Sequence, residues 1–202
     1  MALEVVPLKD IIEKHGEDSA QNILDTFESI IVSGKETAHD VEFFLKKKAI
    51  EFTKSGISAT HLIFAPFKGK SILVGYFSIA NKPLVIPSRH HKKLSNRIRS
   101  KIRRGGGVTE DKSTIVYGYL IGQIGKNYSE SCKKANAISG KDILQSAYDH
   151  IKKASDITGG SIVYLEFEDV QYLHDLYSDF GFATLENYST KNNLKLAVMR
   201  LI

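Results

Sequence analysis

The sequence predicts a mixed α/β fold of the α+β kind, in which helices flank a central, twisted and mostly antiparallel sheet. In Asp40–Ser55 the apolar residues recur at helical spacing and lie mostly along one face. From His61 to Ala80 the chain is instead apolar and rich in β-branched and aromatic residues. Beyond that point strand-like and helix-like segments follow each other to the end, which indicates helices packed on a sheet.

The composition is that of a folded globular protein, since 42% of the 202 residues are hydrophobic and 25% are charged. We expect one domain over residues 1–202, with a helical N-terminal part at 1–58 and a sheet core at 59–202. The apolar runs are too short to span a bilayer, and the N-terminus has no basic region followed by an apolar stretch. The single cysteine, Cys132, predicts neither an internal disulfide nor a metal site, so we expect a reducing, cytoplasmic setting.

The N-terminal part is predicted to be helical at Pro7–His15, Ser19–Ile30 and Asp40–Ser55. Pro7 suits a first helical turn, and Gly56 suits a C-terminal cap. A β-hairpin follows, because His61–Pro66 and Ser71–Ala80 flank a short segment that contains Gly69.

The net charge of +5 comes from one segment. Residues 89–104 carry eight basic residues and no acidic one, whereas the rest of the chain carries 20 basic and 23 acidic residues. We expect a helix over His91–Arg104 that ends at the glycines 105–107. Such a segment attracts polyanions, and the candidate nucleic-acid contacts are Arg97, Arg99, Arg103 and Arg104. The alternative is a solvated helix face.

The second half of the chain is predicted to contain four strands and two helices. Thr114–Gly125 has a nearly continuous apolar run, which predicts one strand that is covered on both faces. The remaining predicted elements are a helix over Ser139–Ser155, a strand over Ser161–Glu168, a helix over Val170–Phe180 that Gly181 ends, and strands over Phe182–Leu185 and Leu194–Leu201.

Three stretches in their order carry a family resemblance. They are YLIGQIGK (Tyr119–Lys126) with ISGKDIL opening a helix at Ile138–Leu144, the strand SIVYLEFE, and LYSDFGF at Leu176–Phe182. This part of the chain, about residues 112–202, resembles the GNAT superfamily of N-acetyltransferases. Their signature joins a central strand, a glycine-containing loop entering a helix, a second strand, and a helix ending in Phe-Tyr-x-x-x-Gly-Phe. Leu176 stands in place of the first Phe. The resemblance implies a GNAT-like domain that uses acetyl-CoA to acetylate a primary amine.

The front half is similar to the GNAT enzymes of bacterial toxin–antitoxin pairs. The similarity rests on DVEFFLKKKAIEF, SATHLIF and LVGYFSIA, followed by a basic segment before the central strand. Several of those enzymes acetylate the amino group of charged tRNA. The resemblance leaves the acceptor open between tRNA, a protein and a small amine. It also leaves open whether an antitoxin or a second copy of the chain is a partner. A further alternative is a non-catalytic module that binds nucleic acid or protein through residues 89–104.

The resemblance also implies an acetyl-CoA site. A loop of free N–H groups at a helix N-terminus suits a pyrophosphate. Family members carry Gln/Arg-x-x-Gly-x-Gly/Ala there, and only Gly140 agrees within the matching Ala135–Gly140. The loop 127–134 is also longer than usual, and Ser139 has the alternative role of a helix N-cap. The implied contacts are Ile124, Gly125 and Lys126 at the strand end, and Ala135, Asn136, Ala137, Ile138, Ser139, Gly140 and Lys141 in the loop.

Acetyl transfer to an amine needs a base for the amine and an acid for the departing thiolate. The resemblance implies Tyr177 as the acid, and a phenol with a pKa near 10 matches an alkyl thiol. The alternative is a tyrosine that packs against the sheet. Glu166 and Glu168 share one face of the predicted strand and are the candidate bases, with an exposed sheet face as the alternative. Charged tRNA would need no strong base, because its α-amine has a depressed pKa.

Overall fold

The computed structural model describes residues 3–30, 40–91, 106–190 and 192–201. In chain order its elements are β1 (Glu4–Pro7), α1 (Leu8–His15), α2 (Glu17–Leu24), α3 (Asp40–Lys47), α4 (Ala49–Lys54), β2 (Ala59–Phe67), β3 (Lys70–Asn81), β4 (Leu84–Ile86), α5 (Ser88–His91), β5 (Gly106–Val108), β6 (Thr114–Val116), β7 (Gly118–Lys126), α6 (Glu130–Ala135), α7 (Gly140–Thr158), β8 (Ile162–Phe167), α8 (Gln171–Phe180), β9 (Ala183–Ser189) and β10 (Lys195–Arg200). The predicted fold class is confirmed, because helices flank a mostly antiparallel sheet. Over these ranges, no helix has the length and apolar character that a membrane crossing requires.

The chain divides into two compact units. The first unit is Met1–Ile79 with Gly122–Ala147, and the second unit is Ala80–Ile121 with Tyr148–Ile202. Strand β7 and helix α7 each contribute residues to both units. The expectation of one domain, with parts at 1–58 and 59–202, stays a prediction.

The first unit is built on the predicted hairpin, which the structure confirms. Strands β2 and β3 pair antiparallel, and β1 pairs antiparallel with β2 so that Glu4 lies opposite Phe64. Both turn residues between β2 and β3 have positive φ, 50° at Lys68 and 75° at Gly69. Two consecutive positive φ angles are typical of the type I′ turns that join antiparallel strands. The local sequence therefore sets this pairing.

The core of the first unit lies under the helices α1 to α4. Its fully buried residues include Leu8, Leu24, Phe27, Leu45 and Tyr76. The Tyr76 hydroxyl donates a hydrogen bond to the carbonyl of Val41, with an oxygen–oxygen distance of 2.5 Å. The apolar face that the sequence predicts for the third helix is thus the face that contacts the hairpin.

The second unit contains two sheets. The first half of β7 pairs parallel with β8, β8 pairs antiparallel with β10, and β10 pairs antiparallel with β9. Strands β4 and β5 pair antiparallel with β6 and form a smaller sheet in the order β4-β6-β5. One apolar cluster joins the two sheets and consists of Leu84, Ile86, Val116, Ile162, Tyr164, Leu185, Leu196 and Val198.

The prediction of one strand over Thr114–Gly125 is wrong. Tyr117 separates β6, which belongs to the smaller sheet, from β7. Gly118 is the first residue of β7 and lies against Ile162 of β8. A Cβ atom at Gly118 would lie 2.5 Å from Cγ1 of Ile162. The close approach of β7 to β8 therefore requires glycine at this position.

Two predicted helices have different bounds. The helix over Asp40–Ser55 is interrupted at Lys48, whose φ of −125° separates α3 from α4. The helix predicted from Ser19 to Ile30 is α2, which runs from Glu17 to Leu24. Beyond it, Phe27 turns into the core and is fully buried. The short elements β1, β4, β5 and α6 were not predicted, because periodicity needs longer segments.

The predicted helix over His91–Arg104 lies outside the described residues, except for His91 at the end of α5. The predicted C-terminal cap of α8 is confirmed. Gly181 has a φ of 112°, and the N–H of Phe182 donates to the carbonyl of Tyr177. A residue with a side chain is strained at this φ, which explains glycine here.

Candidate active-site residues

The second half of β7 carries the three strand-end contacts that the resemblance implies, Ile124, Gly125 and Lys126. Its pairing with β8 ends at Ile121. Within the first unit, the described residues place one strand, β3, beside this segment. The main-chain groups on its other edge have no strand partner in that unit and can hydrogen-bond an extended chain of amides.

Gly125 is a glycine because of close packing. A Cβ atom at this position would lie 2.6 Å from Cε1 of Tyr76, 2.6 Å from Cγ1 of Val41 and 2.8 Å from Cζ of Phe27. These distances are shorter than any real contact, so the aromatic core occupies the space that a side chain would need. At Gly122, by contrast, the nearest atom would be the carbonyl oxygen of Ser78, at 3.8 Å.

Asn127 fixes the turn that follows β7. Its side chain is 1% exposed, and its amide nitrogen donates to the carbonyls of Thr26 and Leu73 at 3.2 and 2.7 Å. Its side-chain oxygen accepts from the N–H groups of Glu28 and Ser129 at 3.1 and 2.9 Å. One side chain therefore ties β3, the segment after α2 and the loop after β7 together.

The loop before α7 is longer than the family pattern because it contains a helix. Helix α6 ends at Ala135, and Asn136 follows in the left-handed conformation with a φ of 41°. The N–H of Asn136 donates to the carbonyl of Cys132 at 2.9 Å. Ile138 is 4% exposed and anchors the loop in the core. Helix α6 therefore accounts for the extra residues.

Helix α7 starts with a reciprocal cap between Ser139 and Asp142. The N–H of Ser139 donates to the Asp142 carboxylate at 2.8 Å, and the N–H of Asp142 donates to the Ser139 hydroxyl at 3.3 Å. The hydrogen bond from the Ser139 hydroxyl, followed by that from its N–H, lowers the pKa of Asp142. This is the capping-box arrangement, and the alternative role of Ser139 as N-cap is confirmed.

Four other main-chain N–H groups in this loop donate to no acceptor in the part of the chain that the structure describes. They belong to Ala137, Ile138, Gly140 and Lys141. The positive charges of Lys141 and Lys126 lie close enough to Asp142 to lower the pKa of its carboxyl group further. Free donors at the start of a 19-residue helix, with two lysines nearby, form an arrangement that can bind an anion.

Tyr177 lies on α8 in the second unit and is 8% exposed. Its ring contacts Phe167 and Phe182 edge-on, at centroid distances of 5.0 and 6.0 Å. Burial, and less strongly the nearby Tyr172, raise the pKa of Tyr177 above its ordinary value. Among the described residues its hydroxyl has no hydrogen-bond partner, so its proton is free for a ligand.

Glu166 lies on the other face of β8 from Phe167, since side chains alternate along a strand. It pairs with Leu196, a member of the apolar cluster of the second unit. Partial burial raises the pKa of the Glu166 carboxyl group, and the charge of Lys82 offsets part of that rise. Burial, and then the nearby charge of Glu166, raise the pKa values of the Tyr164 and Tyr188 hydroxyl groups.

The other predicted residues are placed as follows. Strand β8 ends at Phe167, so Glu168 follows the strand, and its carbonyl accepts from the N–H of Val170 at 2.8 Å. The implied cofactor contacts belong to the first unit, and Glu166, Glu168 and Tyr177 belong to the second. The four arginines predicted to contact nucleic acid lie outside the described residues.

Sequence reasoning missed three residues or pairs near these sites. The spacing of Ser139 and Asp142 is a capping-box signal that could have been found. Asn127 had no such signal, because its partners lie far away in the sequence. The hydrogen bond of 2.7 Å between Asp169 and His174 joins residues on either side of a helix start, which no periodicity predicts.

A scan of family models and a search of curated proteins give no match. Solved structures share the fold. A tyrosine-to-phenylalanine mutant of KacT matches with a TM-score of 0.61 and 13% identity, over 100% of this chain and 96% of that chain. AtaT complexed with acetyl-methionyl-tRNAfMet matches with a TM-score of 0.58 and 15% identity, over 97% of this chain and 94% of that chain.

A mutant AtaT toxin bound to the C-terminus of the antitoxin AtaR and acetyl-CoA matches with a TM-score of 0.56 and 11% identity, over 98% of this chain and 93% of that chain. At these identities the similarity shows the fold. It confirms, at the level of fold, the resemblance to the toxin acetyltransferases that the sequence predicts.

Proposed function

We propose that this chain is an acetyl-CoA-dependent N-acetyltransferase that acetylates a primary amine. The observation that carries the proposal is the row of unpaired N–H groups before and at the start of α7, at Ala137, Ile138, Gly140 and Lys141. The fold shared with AtaT and KacT over nearly the whole chain supports the same reading.

The donor set fits acetyl-CoA. The unpaired N–H groups and the lysines Lys126 and Lys141 would bind the pyrophosphate, with Ala135 and Asn136 shaping the turn that precedes them. The free edge of β7 at Ile124–Lys126 would hydrogen-bond the amides of the pantetheine arm. Ser139 would act through the cap that holds the start of α7, because its own N–H is occupied by Asp142.

Acetyl-CoA supplies an acetyl group on a thioester. We assign the proton that the departing sulfur needs to the hydroxyl oxygen of Tyr177. A phenol is protonated at neutral pH in any case, and the burial that raises the pKa of Tyr177 makes it a weaker acid than a free tyrosine, so the strongly basic thiolate that develops must draw the proton from it. An N–H group at Ile124, Gly125 or Lys126 would stabilise the negative charge that develops on the thioester oxygen.

For the acceptor we propose the α-amine of charged tRNA. AtaT, which shares the fold, is solved with acetyl-methionyl-tRNAfMet, and residues 89–104 of this chain carry eight basic residues and no acidic one. Arg97, Arg99, Arg103 and Arg104 would contact phosphates, so binding should weaken steeply with salt. The complex of AtaT with AtaR supports an antitoxin as a further partner. We propose a cytoplasmic setting, because both proposed substrates are found there.

Calorimetry with acetyl-CoA, followed by mass spectrometry of charged tRNA incubated with protein and acetyl-CoA, tests the proposal. We expect acetyl-CoA binding and a mass gain of one acetyl group on the aminoacyl end. Absence of acetyl-CoA binding, with retained salt-sensitive tRNA binding, would establish the non-catalytic alternative. If small amines or proteins are acetylated and charged tRNA is not, the chain is an N-acetyltransferase but charged tRNA is not its acceptor.

A further inference from the structure

His174 and Asp169 form a hydrogen-bonded pair beside Tyr177. The Asp169 Oδ1 atom lies 2.7 Å from Nε2 of His174, and its Oδ2 atom lies 3.2 Å from Nζ of Lys195. The Asp169 side chain is 59% exposed and that of His174 is 28% exposed. Each oxygen of the Asp169 carboxylate therefore has a partner, and the His174 side chain remains partly exposed to solvent.

The pair lies on the same face of β8 as Tyr177. The Phe167 ring meets the His174 ring at 5.0 Å and 76°, and it meets the Tyr177 ring at 5.0 Å and 64°. His174 and Tyr177 are three residues apart on α8, so they share one side of the helix. Glu166 points to the opposite face, whereas His174 is a titratable side chain that contacts the same aromatic ring as Tyr177.

Asp169 determines which imidazole nitrogen can accept a proton. The hydrogen bond from His174, and then that from Lys195, lower the pKa of the Asp169 carboxyl group, so it is ionised and only accepts. Nε2 of a neutral His174 must then carry the hydrogen that Asp169 accepts. Nδ1 consequently carries the lone pair.

We propose that His174, oriented by Asp169, is the base that takes a proton from the acceptor amine. The inference rests on the proposed acetyltransferase function. A bond forms between the amine nitrogen and the acetyl carbonyl carbon, and the bond from that carbon to sulfur breaks. Nδ1 of His174 takes one amine proton and the Tyr177 hydroxyl protonates the sulfur. The proton on His174 then returns to Tyr177 through solvent, so protons and electrons balance.

An imidazole suits an amine whose pKa is already depressed, as in charged tRNA, because a mild base is then sufficient. In the described part of the chain, the charged and titratable groups that contact His174, its partner Asp169 or the Phe167 ring come from three places. They are Asp169 in the loop before α8, Lys195 on β10 and Tyr177 on α8 itself. Lys195 contacts the same carboxylate but has no contact with the imidazole, so it offers a matched structural control.

The test compares His174→Gln with Lys195→Met, using radiolabelled acetyl-CoA and bulk aminoacyl-tRNA over a range of pH. Gln keeps a donor for Asp169 but cannot accept a proton. We expect kcat to fall about 100-fold or more in His174→Gln, together with loss of the acid limb of the pH profile. Lys195→Met leaves the hydrogen bond between Asp169 and His174 in place, so it should keep the acid limb of the pH profile even if the rate falls.

A second readout is independent of turnover. Imidazole nitrogen NMR should show Nε2 protonated and Nδ1 unprotonated in the neutral His174 ring, and Asp169→Asn should mix the two tautomers. If His174→Gln and Lys195→Met lose activity equally and keep the same pH profile, the pair is structural and the inference is wrong. If the unmodified protein neither binds acetyl-CoA nor acetylates, the proposed function itself is wrong, whatever the tautomer.

Discussion

Tyr177 and Glu166 lie on opposite faces of β8. The Tyr177 ring contacts Phe167 at 5.0 Å, and the neighbouring Glu166 pairs with Leu196 on the side of the apolar cluster. Two side chains on opposite faces of a strand do not both face one bound amine and thioester. A base that works beside Tyr177 is therefore better sought on its own face, where His174 lies.

Tyr177→Phe should abolish most acetyl transfer without changing stability. The aromatic contacts with Phe167 and Phe182 do not need the hydroxyl, which has no partner among the described residues. We expect the rate to fall about 100-fold and the free energy of unfolding to change by less than about 0.5 kcal/mol. Radiolabel transfer and urea unfolding measure the two effects. Tyr117→Phe, at an exposed position between β6 and β7, is the control. An unchanged rate in Tyr177→Phe would contradict the role of Tyr177 as proton donor.

Gly125→Ala should destabilise the first unit, whereas Gly122→Ala on the same strand should not. The new methyl group at Gly125 would overlap Tyr76 and Val41 at 2.6 Å, while the one at Gly122 meets nothing closer than 3.8 Å. Overpacking of a filled core costs about 1–3 kcal/mol. Urea unfolding of both variants measures the difference, and equal stabilities would contradict the packing explanation.

Asn127→Ala should lower the free energy of unfolding by about 3 kcal/mol or more. The change leaves two carbonyls and two N–H groups without the partner that now satisfies them, and each unpaired buried group costs about 1–3 kcal/mol. Asn22→Ala on α2, an exposed position, is the matched control. A loss no larger than that of the control would mean that water replaces these hydrogen bonds.

Asp142→Asn should destabilise the start of α7 in a pH-dependent way. The pKa of Asp142 is lowered in the folded state, so the carboxylate contributes stability above its unfolded pKa of about 3.9. That contribution is lost as the pH falls through the folded pKa. An acidic side chain in the first turn of a helix contributes about 0.3–1 kcal/mol, and we expect a difference of this size at neutral pH and its disappearance in strong acid. Chemical unfolding of both proteins at neutral and at strongly acidic pH measures this difference in stability. A difference that persists in acid would show that the charge of Asp142 is not its cause.

Glu166→Gln should have the opposite pH dependence. Partial burial raises the pKa of Glu166, so the folded protein binds this proton more tightly than the unfolded chain does. Stability is therefore lost as the pH rises from the unfolded pKa of about 4.3 through the folded pKa. We expect the melting temperature of Glu166→Gln to exceed that of the unmodified protein at neutral pH and to equal it below about pH 4. Glu110→Gln, in the segment between β5 and β6, removes a carboxyl group elsewhere in the second unit and is the control, which should show no such crossover.

Several elements were predictable because their signals are local. The turn at Lys68 and Gly69, the alternation of side chains along β8 and the cap at Gly181 depend on residues a few positions apart. These features are determined by backbone dihedral preferences and by hydrogen bonds between residues within one or two turns of each other. The order of three such local motifs was also enough to indicate the shared fold.

The sequence by itself therefore determined the type of most elements, the hairpin, the end of α8 at Gly181 and the family resemblance. Only the tertiary structure decided why Gly125 is a glycine, how Asn127 joins three segments, and that His174 rather than Glu166 shares a face with Tyr177. The physical reason is distance along the chain. Val41, Tyr76 and Gly125 meet through packing of remote segments, and close packing depends on the whole arrangement rather than on any short pattern.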